Sequence, residues 1–229
     1  MAQRFPPTMS LEAMIEYIVT VGGALDAIRG LADLAGPWDE QIEAYQGDRD
    51  DRDKVVFAWL RAIAFYRARD FEWDGVILET SGASFLAAGK KADAEPYEPL
   101  FGTIKAVQAR KLGAAKAVKF GSQIVSKLEV LDHPALNGLI PRLKAANEAL
   151  KAAGERRDAA FEQVLLQNIV RVRRLTALQA AVADIEYEIL KRFRGNHALV
   201  KVVLSGADPN TLDGMPDDGA PVEAPPGEA

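Results

Sequence analysis

The chain has 229 residues, 27% of them charged, with a formal net charge of -5, which is the composition of a globular protein. It contains no cysteine, which excludes disulfides and thiolate metal sites and favours a reducing compartment. The longest stretch of the body without Asp, Glu, Lys or Arg runs only from Thr80 to Gly89, well short of the roughly 20 apolar residues a membrane span needs. No apolar segment follows Arg4 at the start of the chain, so no leader is expected, and the cytoplasm is the expected location.

Prolines and glycines punctuate the sequence. Pro6 and Pro7, Pro37, Pro96 and Pro99, and Pro134 and Pro141 separate long proline-free runs, and a proline inside a helix costs about 3 kcal/mol. Taken in chain order, the pattern predicts helices at about 10–35 and 38–46, a long one at 49–89, and another at 97–131. A shorter helix at 135–153, a long one at 155–194 and a last turn or two ending near 204 complete the set. Gly36, Gly154 and Gly195 are read as helix C-termini. In the second run Val56, Trp59, Ile63, Tyr66, Asp70, Trp73, Ile77, Thr80 and Ser84 form a seam at steps of three and four. In the last run Phe161, Leu165, Asn168, Val172 and Leu175 do the same. Period-two alternation is absent. The fold class expected is all-α: an elongated antiparallel bundle of four long helices with short connecting helices.

Residues 1–204 are read as one helical-bundle domain. Residues 205–229 carry five prolines, four glycines, six acids and no Lys or Arg, and are read as a disordered acidic tail.

The net charge conceals an asymmetry. Residues 1–98 carry 10 Lys and Arg against 18 Asp and Glu, whereas residues 99–204 carry 18 against 9. Between Glu98 and Glu129 there is no acid, and Lys105, Lys116, Lys119 and Lys127 project to one side of a helix, opposite an apolar side. They form a candidate surface for a protein partner or an anionic membrane. Nucleic acid is not expected, because the stripe lacks interleaved aromatics for base stacking.

Catalytic chemistry finds little support. The two histidines, His133 and His197, lack the Glu-x-x-His pattern of di-iron bundles, and no phosphate-binding glycine loop or nucleophile elbow is present. No catalytic, metal or cofactor site is therefore expected. A buried polar site is expected instead at Asp70, between Tyr66 and Trp73, with Arg171, Arg173 or Arg174 supplying its counter-charge. Asn168 is expected to set helix register in the same way. Small residues recur every four positions at Ala109, Gly113, Ala117 and Gly121, a spacing that permits close helix approach in water and also drives association in lipid. The function expected from these features is a non-enzymatic helical scaffold or interaction module that self-associates. The alternative is a membrane-active helical protein with a soluble resting state.

Overall fold

The computed structural model describes residues 5–204; the acidic tail expected at 205–229 lies outside them. The described residues are all-α, with no strand. The helices are α1 (Leu11–Ala27), α2 (Ala32–Ala87), α3 (Tyr97–Phe101), α4 (Ala106–Ala109), α5 (Ala114–Leu131), α6 (Ile140–Arg192) and α7 (His197–Leu204), and a 3-10 turn at Asn137–Leu139 leads into α6. Two compact units divide the described chain: residues 5–56 with 163–204, and residues 57–162.

Several expected boundaries move. Pro37 does not end a helix but lies inside α2. It sits just past the first turn, where a missing N–H removes a single backbone bond, to Asp33. The break comes earlier, over Ile28–Leu31, where Gly30 takes a φ of 92° that suits glycine. Gly154 likewise stays within α6. It is buried, and a Cβ there would make only ordinary contact with that of Ala114, at 3.8 Å, so the position is a helix interior and not a cap. The run expected as one helix at 97–131 is three pieces, α3, α4 and α5. Gly102 and Gly113 fall at the junctions, and Ala109 and Gly113 therefore do not share a helix with Ala117 and Gly121. Gly195 does end a helix: its φ is 79°, and its N–H donates to the Leu190 carbonyl at 2.8 Å.

In the first unit, α1, α7, the first part of α2 and the last part of α6 enclose a core. It includes Tyr17, Leu25, Trp38, Tyr45, Leu178, Val182 and Ile189. α1 is started by Ser10, whose hydroxyl accepts the Ala13 N–H at 3.2 Å. The α2 and α6 segments run antiparallel, as Arg192 bonds Asp33 at 2.6 Å and the Tyr45 hydroxyl donates to the Arg174 carbonyl at 2.9 Å. Two large aromatics of this core direct their polar atoms to carbonyls: Trp38 Nε1 donates to that of Ile18 at 2.6 Å, and the Tyr17 hydroxyl to that of Leu204 at 3.3 Å.

Burial pushes the Tyr45 hydroxyl up to about 12 and that of Tyr17 higher still. A value raised above the unfolded 10 means that the folded state holds its proton more tightly. The associated stability is complete below pH 10 and is lost as pH rises through the folded values. Chemical denaturation of the protein between pH 8 and pH 12 should therefore show stability that is flat to about pH 10 and falls above it. In Tyr45→Phe the fall should be smaller, and the neutral-pH stability lower by about 1–2 kcal/mol for the carbonyl left without its donor.

In the second unit, α3 and α5 pack with the later part of α2 and the earlier part of α6. The core there includes Trp73, Ile77, Phe101, Phe120, Ile124, Leu143 and Leu150. The α2 and α6 segments are again antiparallel: Trp59 meets Phe161 with ring centroids 6.0 Å apart, and Arg142 bonds Glu79 through both oxygens, at 2.5 and 2.7 Å. At the centre the Trp73 indole donates to the side-chain oxygen of Asn147 at 2.6 Å. Gly121 of α5 lies against that amide so closely that any Cβ would overlap it.

Candidate functional site

The polar residues singled out in the sequence do not form one site. Arg171 and Arg174 belong to the first unit. Arg174 bonds Asp48, and its guanidinium lies 5.2 Å from the ring centroid of Tyr45. Arg171 donates to the carbonyls of Pro7 at 2.9 Å and Met9 at 3.0 Å, tying the segment before α1 onto α6. Burial, and Arg52 nearby, hold the Arg171 pKa below the ordinary arginine value. Asp70, expected to be buried, lies in the second unit and is half-buried, between Tyr66 and Trp73 on α2. Arg174 and Arg171, expected to neutralise it, are committed to Asp48 and to backbone carbonyls. Asn168, expected on a buried seam, is exposed, as are its neighbours Leu165 and Val172. The register-setting amide is Asn147, 4% exposed. Its place between Leu143 and Leu150 at helical spacing was the signal in the sequence.

The lysine stripe lies wholly in the second unit and is exposed, but it does not form one helix face. Lys116, Lys119 and Lys127 stand on α5, whereas Lys105 precedes α4 as its N-cap residue. Lys127 is occupied, its Nζ donating to the Pro99 carbonyl at 2.6 Å. Among the described residues no cluster of His, Asp and Glu could hold a metal ion, and no helix is long and apolar enough to cross a membrane.

A different surface was missed in the sequence: the outward face of α2 in the second unit. At about 100° per residue, Phe57, Leu60, Ala64, Ala68, Phe71, Gly75, Leu78, Gly82 and Leu86 fall within one sector, opposite the buried seam of Ala62, Trp73 and Ile77. All nine are exposed, and none is polar. Phe57 is 64% exposed, Phe71 75% and Leu86 64%. Over 30 residues this helix thus carries two apolar faces, of which the second unit covers one. A surface helix ordinarily buries its single apolar stripe and turns charge to water.

Both flanks of the exposed face carry mixed charge. Arg61, Glu72 and Glu79 stand on one side, and Arg67 and Asp74 on the other. Asp74 receives Arg110 at 3.0 Å and Glu72 receives Arg69 at 2.5 Å. On the Glu72 side the ring of Phe65 is capped by Arg69 and Arg156, whose guanidiniums lie 5.0 and 5.4 Å from its centroid. Phe65 is therefore less exposed, at 38%, than Phe57 and Phe71.

Comparison of the chain with protein-family models, with curated proteins and with solved structures finds no match.

Proposed function

We propose that the protein is a non-enzymatic helical interaction module, working in the cytoplasm and self-associating, and that its docking surface is the outward face of α2 from Phe57 to Leu86. The observation that carries this reading is the uninterrupted run of nine exposed apolar positions opposite the core seam. The five large side chains present roughly 500 Å² of apolar surface, in the upper part of the range for the largest patch on a monomer, and such patches mark interaction sites. The lack of cysteine supports a reducing compartment.

The flanks favour protein over anionic lipid as what meets this face. A helix that lies on an anionic membrane lines its apolar face with Lys and Arg, and here Glu72, Asp74 and Glu79 stand among the flanking residues. Size-exclusion light scattering, run from low micromolar to several hundred micromolar with and without anionic liposomes, tests the reading. A defined oligomer that ignores the liposomes is expected. A monomer at every concentration, or a monomer that floats with the liposomes, overturns it. Phe71→Asp should weaken association by at least a hundredfold while leaving the helical circular dichroism signal and the melting temperature nearly unchanged, because the residue makes little contact within its own chain.

A further inference from the structure

The face on α2 has a pattern that selects its occupant. Its positions alternate steps of four and three through residues 57, 61, 64, 68, 71, 75, 78 and 82, the repeat of a coiled-coil seam. Leu60 and Leu86 extend the apolar surface beside it. Seven of these eight positions are apolar, Arg61 being the exception at the seam's edge: Phe57, Phe71 and Leu78 are large, while Ala64, Ala68, Gly75 and Gly82 are small. The two glycines are the telling positions. Each sits inside a helix, where glycine costs about 1 kcal/mol relative to alanine, and neither has a positive φ. A Cβ at either would meet nothing within 4 Å. Gly121, by contrast, is accounted for by Asn147 inside the second unit. Gly23, Gly36 and Gly47 have equally open surroundings, but Gly75 and Gly82 lie on the exposed apolar face, where they leave room for a second helix to come close.

We infer that the occupant is the same face of a second copy of this chain, packed antiparallel about a two-fold axis that passes between Arg69 and Asp70. Resting on the docking surface proposed above, this arrangement places Phe57 opposite Gly82, Ala64 opposite Gly75, and Phe71 opposite Ala68 of the second copy, and the two-fold axis repeats each pairing. Phe57 and Phe71 then enter the gaps at Gly82 and Ala68, as the packing of knobs into holes requires, the Ala64–Gly75 layer brings the two helices close, and Arg61 comes beside Leu78 at the seam's edge. A parallel pairing in register would instead set Phe57 on Phe57 and Gly75 on Gly75, crowding some layers and leaving voids in others.

Charge agrees with the antiparallel choice. On one flank Arg61 comes beside Glu79 of the second copy, and on the other Arg67 beside Asp74, so neither flank sets like charges together, although within its own chain Glu79 already binds Arg142 and Asp74 binds Arg110. The two faces together offer at most about 1,000 Å² of large-side-chain surface, the lower bound for a specific interface. The interface is isologous and closes on itself, so it ends at a dimer. The acidic residues 205–229 do not fit the face, since they supply neither the aromatic surface nor the cations that its pattern matches.

The absence of native cysteine makes the arrangement directly testable. Ala64→Cys and Gly75→Cys place single thiols at exposed positions, and the full chain carrying one is mixed with the full chain carrying the other. A short bismaleimide cross-linker is added and the linked peptides are identified by mass spectrometry. Cross-links between position 64 of one copy and 75 of the other should exceed homotypic links by at least tenfold. In each variant alone, like positions lie 11 residues out of step, about 16 Å along the axis. A dimer in light scattering with homotypic links, or with none, overturns the antiparallel arrangement and leaves the interaction surface standing. A monomer in light scattering overturns both. Circular dichroism melts of the two variants confirm that each is folded before it is mixed.

Discussion

Replacing Trp73 by alanine should cost the second unit about 3–5 kcal/mol, the range for truncating a fully buried large aromatic. Trp73 is 1% exposed and packs in the core with Ile77, Phe120, Leu143 and Leu150, so the cavity left behind has rigid walls on several helices. The loss is compounded at Asn147, whose side-chain oxygen accepts the indole N–H at 2.6 Å and would be left without that donor. Gly121 belongs to the same device, because the amide occupies the space a Cβ would take. Gly121→Ala should therefore be destabilising in the native background, by more than the usual gain that alanine brings to a helix. In an Asn147→Ala background, where the amide is gone, the same change should become nearly neutral or favourable. Urea titrations of the four combinations measure the coupling; simple additivity of Gly121→Ala and Asn147→Ala would show that the amide does not occupy that space in solution.

This device marks how far the sequence could be read. The all-α class followed from unbroken runs with steps of three and four, and the α2 seam through Trp73, Ile77, Thr80 and Ser84 is buried as that spacing implies. Helix boundaries were less legible because the cost of a breaking residue depends on position. Pro37 lies just past the first turn of α2, where one backbone bond is forgone, and Gly154 lies buried in the interior of α6 beside Ala114, a neighbour that spacing does not reveal. Polar positions on a seam were ambiguous for the same reason. Asn147 and Asn168 both lie at helical spacing among apolar residues, and only the packing distinguishes the buried one from the exposed one. The outward face of α2 was present in the numbering from 57 to 86. A helix apolar on two opposite sides does not announce which side its own chain will cover, and the reading followed the seam with the tryptophans.

Trp38→Ala should cost the first unit a similar 3–5 kcal/mol, by a route that passes through backbone rather than through a side-chain amide. Trp38 stands just past the first turn of α2, 2% exposed, beside Tyr17 with ring centroids 6.5 Å apart. Its Nε1 donates to the Ile18 carbonyl of α1 at 2.6 Å, so the indole both fills the core and fixes where α2 crosses α1. One turn further along α1, Gly22 lets the helices approach: a Cβ there would lie 3.3 Å from Trp38 Cδ1 and overlap the carboxylate of Asp39. Trp38→Phe keeps most of the apolar area and loses the donor, and should cost about 1–3 kcal/mol. Gly22→Ala should also destabilise, but Asp39 is exposed and can swing toward water, so its effect should be smaller than that of Gly121→Ala. Denaturant midpoints followed by circular dichroism rank the three changes. An order with Gly22→Ala costing more than Trp38→Ala would mean that backbone approach, and not burial of the indole, holds α1 to α2.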